Sequence, residues 1–225
     1  MALIVSKGNM YSWVTHTWNP VKGKCPHDCS YCYMKRFGKQ NPLRLVESEL
    51  KADLGKGNFI FVGSSCDLFA EEVNPDWIKR TLEHCKRFDN TYLFQSKNPR
   101  AFLEISEFYP EWLPERSIFC TTIESDKYYH PEMGNTPSPR NRATSMYLLS
   151  NKFKKYVTIE PIMDFDIDGL VELIKMFNPQ QVNIGADSGG NHLPEPSKDK
   201  ILSLIDALKE FTIIDQKRNL NRLLK

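Results

Sequence analysis

The chain has 225 residues, 40% of them hydrophobic, which is enough to bury a substantial core in one α/β domain. Its formal net charge of +2 does not demand a strongly polyanionic partner. No run of about 18 apolar residues is present, so the sequence does not predict a membrane-spanning helix. The apolar start, residues 1–6, lacks the longer apolar run and the cleavage site of a signal peptide. We therefore expect a cytoplasmic protein.

Short runs of β-branched and aromatic residues alternate with longer amphipathic runs along the chain. The short runs predict strands near residues 13–18, 58–62, 91–94, 117–123, 156–159 and 181–184. The amphipathic runs predict helices near residues 32–36, 43–54, 77–88, 99–108, 141–150, 168–177 and 198–211. Strand–helix alternation indicates a parallel sheet with helical crossovers. Because six units are too few to close a barrel, we predict an α/β fold with a partial (β/α)6 barrel. An open doubly wound sheet is the alternative.

The domain organisation follows from this single alternating pattern. Residues 1–225 are predicted to form one domain, with a basic C-terminal tail at about residues 212–225. The cations of the tail are Lys217, Arg218, Arg222 and Lys225. We interpret the tail as a solvated helix end in preference to a phosphate contact, because short charge runs are usually solvated.

Three of the six cysteines lie close together, in the run Cys25-Pro-His-Asp-Cys29-Ser-Tyr-Cys32. In a reducing compartment such a cluster indicates a metal rather than a disulfide framework. Three thiolates at C-x3-C-x2-C spacing can hold three irons of a cubane cluster and leave the fourth iron open, whereas ferredoxins use four cysteines. Zinc is the alternative, with a fourth ligand from His27 or from Cys66.

The C-x3-C-x2-C run, with Tyr31 before its third cysteine, resembles the signature of the radical S-adenosylmethionine (SAM) superfamily. Further short motifs are similar to a phage- and bacteria-associated family of uncharacterised radical SAM-like proteins, which is distantly similar to spore photoproduct lyase. These motifs are Thr17-Trp-Asn-Pro20, Asp67-Leu-Phe69, Lys97-Asn-Pro99, Ile159-Glu-Pro161 and Ser188-Gly-Gly190. The chain departs from that family where Ser65-Cys66 replaces Met followed by Ser or Gly, and where Ala70 replaces His.

The resemblance implies that Cys25, Cys29 and Cys32 hold a [4Fe–4S] cluster whose fourth iron binds SAM. A flavodoxin- or ferredoxin-type donor would reduce the cluster, and SAM would be cleaved to methionine and a 5′-deoxyadenosyl radical that abstracts hydrogen from a substrate. A nucleotide or nucleic acid is the preferred substrate class by family analogy. The alternatives are a radical SAM enzyme acting on a peptide or small metabolite, and a non-catalytic zinc or iron–sulfur binding module.

The resemblance also implies SAM contacts at the ends of the predicted strands, where ligands bind in such sheets. Lys97 is expected to pair with the methionine carboxylate, and Glu124 to accept hydrogen bonds from the ribose hydroxyls. Glu160 is expected to bind SAM or substrate, with a buried ion pair as its structural alternative. The full set of candidate cofactor-binding residues is Tyr31, Gly63, Ser64, Ser65, Lys97, Glu124 and Glu160, with Asp187 and Ser188 as weaker candidates.

Cys66 is the candidate catalytic residue outside the cysteine cluster. A thiol at the rim of a radical site can return a hydrogen atom to a product radical, as the resemblance to spore photoproduct lyase implies. The structural alternative is an inert, half-buried thiol, since free cysteine commonly behaves as a small hydrophobe. Cys85 and Cys120 are interpreted as core residues of a helix and a strand.

A long polar loop rich in proline is predicted between Asp126 and Arg142. Loops of this length in compact domains are often functional. Its aromatic and basic side chains could stack on and pair with a nucleotide, and the alternative is a variable surface loop. The side chains in question are Tyr128, Tyr129, His130, Arg140 and Arg142.

Overall fold

Seven parallel strands follow one another in chain order across a single sheet. The computed structural model describes residues 3–225. The strands are β1 Ile4–Val5, β2 His16–Trp18, β3 Val21–Lys22, β4 Arg44–Leu45, β5 Phe59–Val62, β6 Thr91–Ser96, β7 Ser117–Thr122, β8 Lys154–Ile159, β9 Gln181–Ile184 and β10 Ile213–Gln216. The sheet order is β1-β2-β5-β6-β7-β8-β9-β10, and only β1 is antiparallel to its neighbour. A sheet that winds in one direction forms the open barrel that the sequence predicted, so the doubly wound alternative is wrong.

Helices connect the parallel strands. They are α1 Pro75–Lys86, α2 Arg100–Phe108, α3 His130–Met133, α4 Pro139–Leu148, α5 Ile167–Lys175 and α6 Lys198–Lys209. Their starts follow from local chemistry, because capping side chains accept hydrogen bonds from free backbone N–H groups. Asn74 caps α1 at 2.9 Å, Asp166 caps α5 at 2.9 Å, and Ser197 caps α6 at 3.4 Å. No helix within residues 3–225 has the length and apolarity needed to cross a membrane.

Side chains alternate between two faces of the sheet, as strand geometry requires. Ile60, Phe94 and Phe119 pack against the helices in the main core. Phe61 and Leu93 face the other side, in a second core that also contains residues of the N-terminal segment. The interior of the partial barrel is therefore filled by side chains, and the carboxyl ends of the strands remain as the place for a ligand.

The N-terminal segment closes the space between the first and last parallel strands. Trp13 donates a hydrogen bond from Nε1 to Asp215 of β10, at 3.1 Å. The Tyr11 ring stacks on the Trp13 ring, with 4.9 Å between their centroids. The Tyr11 hydroxyl lies 2.7 Å from the Thr158 hydroxyl of β8. Opposite edges of the sheet are thus joined through residues that precede β2.

The segment at residues 43–54 does not form the predicted helix. It contains the two-residue strand β4, which pairs with β3, and a 3-10 helix at Glu49–Lys51. Glu49 is buried and accepts a hydrogen bond from Lys22 of β3 at 2.8 Å. Pairing with a distant segment has overridden the local helical pattern. The predicted helix near residues 32–36 is a 3-10 helix at Tyr33–Phe37.

The basic tail is not a solvated helix end. Residues 213–216 form the seventh parallel strand, β10, and a 3-10 helix follows at Arg218–Arg222. Lys217 pairs with Glu160, and Arg222 pairs with Glu195. Leu220 is fully buried in the main core. The sequence interpretation was wrong because only two of the four residues of β10 are apolar, which is too weak a strand signal.

Leu220→Ala should therefore destabilise the protein by about 2–5 kcal/mol, because it opens a cavity in the core. The measurement is the free energy of unfolding from urea titration followed by circular dichroism. Leu202→Ala is the matched control, since Leu202 of α6 is 41% exposed and its loss should change stability by about 0.5 kcal/mol or less. Equal effects of the two changes would show that the tail does not pack on the core.

Candidate functional site

The three clustered cysteines lie in one loop beyond the carboxyl end of β2. Cys29 is buried, whereas Cys25 and Cys32 are partly exposed. Two tight turns shape this loop, with hydrogen bonds from Asp28 N to Cys25 O and from Cys32 N to Cys29 O, both at 3.2 Å. Asp28 adopts a positive φ of 51°, a conformation that aspartate tolerates better than most residues. The loop thus carries three thiols over the edge of the sheet where ligands bind.

Residues 132–135 cradle the cysteine loop from one side. Ser30 N donates to Glu132 O at 2.9 Å, and Asn135 N donates to His27 O at 2.7 Å. The Cys29 thiol donates to Met133 O at 3.3 Å. Gly134 has a φ of +62°, and a Cβ on it would lie 2.2 Å from the carbonyl oxygen of His27. Glycine is needed here both for the backbone conformation and for the close approach of the loop.

His27 fastens the cysteine loop from the other side. Its Nε2 lies 2.9 Å from an oxygen of Asp67, which follows β5. The same oxygen accepts hydrogen bonds from the Ser96 hydroxyl at 2.9 Å and from Lys97 N at 2.8 Å. Burial alone lowers the pKa of His27, but the Asp67 carboxylate outweighs it, so the pKa is raised. The Asp67 carboxylate therefore joins the loop to the ends of two strands.

The zinc alternative needs four ligands around one ion. Zn–S bonds of about 2.3 Å place tetrahedral thiolates roughly 3.8 Å apart. Among residues 3–225, no three His, Cys, Asp or Glu side chains converge in this way. The His27 nitrogen Nε2 is already engaged by Asp67.

Glu124 lies fully buried beneath the cysteine loop, within a cluster of polar groups. The Tyr31 hydroxyl donates to its Oε1 at 2.5 Å, and Lys97 contacts the same oxygen. Arg142 donates to its Oε2 at 2.7 Å. Burial raises the pKa of Glu124, but Arg142 and Lys97 outweigh it and hold the pKa far below its usual range. Glu124 is therefore a buried carboxylate whose two oxygens are both occupied.

Arg142 does not belong to a nucleotide-binding loop. It is fully buried in α4 and donates to Thr122 O at 2.9 Å and to the Thr136 hydroxyl at 2.6 Å, as well as to Glu124. Tyr128 and Tyr129 donate their hydroxyls to backbone carbonyl oxygens, at 2.8 Å each. The predicted loop is thus a support for the cysteine loop, and its exposed members are Tyr128, His130 and Arg140.

The turn after β5 is held by Asn19 of the Thr17-Trp-Asn-Pro20 motif, to which the sequence analysis assigned no role. Asn19 accepts hydrogen bonds from Ser65 N at 2.8 Å and from the Ser64 hydroxyl at 3.2 Å. Gly63 adopts a φ of +81° at the start of this turn. The Ser65 hydroxyl makes no hydrogen bond to the described residues, so it is the free polar group of the predicted Gly63–Ser65 set.

Glu160 directly follows β8, at the carboxyl ends of the strands. It pairs with Lys217, which is the structural alternative that the sequence left open. Its Oε1 also accepts hydrogen bonds from Asn9 and Asn219, at 2.8 Å each. Both amides come from segments that flank the predicted barrel, and neither has a local motif. Ser188 accepts a hydrogen bond from Asn219 at 2.9 Å.

Asp187 and Lys97 also have partners within the chain. Asp187 accepts a backbone hydrogen bond from Gly189 at 2.9 Å and so closes the loop after β9. The Lys97 ammonium lies 2.9 Å from the Tyr31 hydroxyl and 4.8 Å from the centre of the Tyr31 ring. The structure thus brings Tyr31, Lys97 and Glu124 together and leaves Glu160 in a separate cluster.

Cys66 is a buried neighbour of the cysteine loop. Cys25 packs against the core cluster that contains Cys66. The neighbouring Cys66 thiol lowers the pKa of the Cys25 thiol below its usual value. Cys85 and Cys120 are fully buried core residues, as the sequence predicted.

No family model and no curated protein sequence matches the chain. Among solved structures, the chain is similar to spore photoproduct lyase complexed with dinucleoside spore photoproduct, with a TM-score of 0.64 at 10% identity. It is also similar to a double-substituted variant of that enzyme with bound AdoMet and the same dinucleoside, with a TM-score of 0.63 at 10% identity. Each comparison covers 93% of this chain and 80% of the other. The partial barrel of radical SAM type is therefore confirmed as the fold.

Gly134→Ala should loosen the cysteine loop. The new Cβ would clash with the carbonyl oxygen of His27, and the positive φ adds about 1–3 kcal/mol of backbone strain. We expect fewer iron and sulfide atoms per chain after anaerobic reconstitution, measured by colorimetric assay. Gly38→Ala is the matched control, because Gly38 has a φ of +78° but nothing within 4 Å of its added Cβ. Equal loading of both variants would contradict the role of residues 132–135 as a cradle.

Arg142→Met should destabilise the protein by about 3–5 kcal/mol, because it leaves the buried Glu124 carboxylate without its main partner. The double variant Glu124→Gln/Arg142→Met should recover part of this loss, because the uncompensated charge is gone. Both are measured by urea unfolding. Arg140→Met, an exposed position in the same helix, should change stability by about 0.5 kcal/mol or less. A mild Arg142→Met variant would show that Glu124 is solvated.

Proposed function

We propose that the chain is a radical SAM enzyme in which Cys25, Cys29 and Cys32 hold a [4Fe–4S] cluster. One observation carries the proposal. Three thiols are presented by a single loop over the carboxyl ends of the parallel strands, in a barrel of the radical SAM type. Such an arrangement places the open iron of a cluster next to the residues at the strand ends.

The residues of the loop fit a cubane cluster by their chemistry. Thiolates are the ligands that iron–sulfur clusters use, and three of them serve three irons. Each thiolate would bind a different iron, so the thiols of a cubane stand further apart than the ligands of one zinc ion. Backbone hydrogen bonds to residues 132–135 and the His27–Asp67 pair would hold the loop in place as the cluster assembles.

When bound, the cluster supplies the electron that cleaves SAM and so makes hydrogen abstraction from a substrate available. The chain's own part is to bind and orient. Lys97 is proposed to contact the methionine carboxylate as a compact cation, with Tyr31 packed beside the cluster or the adenine. Glu124 fixes both side chains from below through its contacts with them. In this arrangement the fully buried Glu124 orients the SAM contacts and leaves the ribose to other groups.

The remaining predicted contacts have distinct parts in the proposal. The free Ser65 hydroxyl and the backbone of Gly63 and Ser64 are proposed to face the methionine amino group. Glu160, with Lys217, is proposed to contact the substrate at the carboxyl end of β8. Cys66 keeps its proposed role as a hydrogen-atom donor to a product radical, and its burial beside Cys25 supports a position close to the cluster.

A nucleotide or nucleic acid is the proposed substrate class, and a flavodoxin- or ferredoxin-type protein the proposed electron donor. The substrate class is supported by the similar structures, which are named as complexes with a dinucleoside photoproduct. The predicted nucleotide-binding loop supports it less, since Arg142 is fully buried and the hydroxyls of Tyr128 and Tyr129 are bonded to backbone carbonyls. A peptide or small metabolite is the alternative substrate.

The proposed function is tested by anaerobic reconstitution with iron and sulfide, followed by incubation with dithionite and SAM. We expect 5′-deoxyadenosine, detected by chromatography, and a cluster absorbance that is lost in the Cys25→Ala/Cys29→Ala/Cys32→Ala variant. Cys85→Ala/Cys120→Ala is a matched control that removes two core thiols and should retain the cluster. Stoichiometric zinc in the isolated protein, with no 5′-deoxyadenosine after reconstitution, would overturn the proposal in favour of a binding module.

A further inference from the structure

A short, exposed segment follows the last cysteine of the loop directly. The 3-10 helix Tyr33–Phe37 begins at the residue after Cys32. The Phe37 side chain is 66% exposed and that of Tyr33 is 41% exposed. Two large aromatic side chains are thus exposed next to the cysteine loop, and exposed apolar patches commonly mark interaction sites.

This segment also carries positive charge without acidic residues to balance it. Residues 29–46 contain four cations, Lys35, Arg36, Lys39 and Arg44, and no Asp or Glu. Lys35 is paired with Asp28 at 3.0 Å. Arg36 and Lys39 have no carboxylate partner among residues 3–225 of the structure. Because the whole chain carries only +2, these unmatched charges form a local positive field.

The segment is held in place rather than loose. The Tyr33 hydroxyl donates to Ser64 O at 3.0 Å, which joins it to the turn after β5. Gln40 donates to Met34 O at 3.2 Å and to Gly38 O at 3.1 Å. A surface that is already ordered loses little entropy when a partner binds.

We propose that the basic aromatic patch, defined as Tyr33, Arg36, Phe37 and Lys39, is the docking surface for an acidic electron-donor protein of the flavodoxin type. This inference rests on the proposed function, since it assigns the partner that reduces the cluster. In the step concerned, the donor's cofactor is oxidised by one electron and the cluster is reduced by one, with no transfer of atoms. Tyr33 directly follows Cys32 in the chain, so a donor bound to the patch would lie beside the cysteine loop.

Charge and size both suit such a partner. Electron-transfer encounters use small interfaces, below about 1,200 Å², and are guided by complementary charge. Arg36 and Lys39 supply the positive side, and Phe37 supplies an apolar centre that excludes water. A nucleic acid strand would instead need free aromatic faces for its bases. The Arg36 guanidinium lies 5.5 Å from the centres of both the Tyr33 and Phe37 rings, so these faces are partly occupied.

The test compares two double variants of the reconstituted full chain. Arg36→Gln/Lys39→Gln removes the unmatched charges of the patch. Lys152→Gln/Lys154→Gln removes two exposed cations at the opposite end of the sheet, next to the start of β8. A purified flavodoxin is the probe. Its affinity is measured by fluorescence anisotropy, and the rate of cluster reduction by its reduced form is measured by stopped flow.

The affinity of the patch variant for flavodoxin should be about tenfold lower than that of the parent, and reduced flavodoxin should reduce its cluster about tenfold more slowly. Both effects should become smaller as the salt concentration is raised. The control variant should match the parent. Dithionite, which needs no docking surface, should reduce all three proteins at the same rate. Absence of 5′-deoxyadenosine with dithionite would count against the proposed function alone, because flavodoxin affinity is measured separately.

Three outcomes would overturn the docking surface. The first is that the parent does not bind flavodoxin. The second is that both double variants lose affinity equally, which would show a diffuse charge effect. The third is that the patch variant keeps its flavodoxin affinity but loses affinity for a single-stranded oligonucleotide, which would assign the surface to nucleic acid. In that case the salt dependence of oligonucleotide binding should fall by roughly 0.7 log units per lost contact for each decade of salt.

Discussion

The buried carboxylate of Glu124 is the interaction on which the arrangement of the site depends. It is fully buried, so it requires compensating charge, and it finds this in Arg142 from α4 and Lys97 from the end of β6. It also accepts a hydrogen bond from the hydroxyl of Tyr31, which belongs to the cysteine loop. One carboxylate therefore fixes a strand end, a helix and the loop relative to one another. Replacing it with an apolar residue would free all three, which is why the buried charge has a positional role here.

The molecule divides its functions between the two ends of the sheet. Tyr11 and Trp13 fill the barrel interior from the N-terminal side, and Trp13 reaches the last strand. This closure makes the interior solid and leaves the carboxyl ends of the strands free. The cysteine loop lies at that edge, held by Asp67 and by residues 132–135. The position of the site thus follows from the parallel topology, and its detail follows from the loops.

The sequence predicted the six central strands and the three clustered cysteines because both have local signals. A buried strand such as Phe59–Val62 is a continuous apolar run, and the cysteines stand at a fixed spacing. The helix predicted at residues 43–54 failed because β4 pairs with β3 more than 20 positions away. The seventh strand was missed, and Arg142 was assigned to a nucleotide-binding loop, for a related reason. Their roles come from partners distant in the chain, which periodicity and composition cannot show.

The supporting amides of the site could not be assigned their roles from the sequence, although Asn19 lies in the Thr17-Trp-Asn-Pro20 motif. Asn19 bonds a turn 46 residues away, and Asn219 bonds Glu160 at a separation of 59 residues. A single amide carries no pattern, so only the folded chain reveals its partner. As a consequence, the carboxylates at the ends of the strands are neutralised by cations of the same chain. Arg142 and Lys97 neutralise Glu124, and Lys217 neutralises Glu160. The cations Arg36 and Lys39 on the segment after Cys32 have no such carboxylate partner among residues 3–225, so the positive field of the described part of the chain is strongest outside the site.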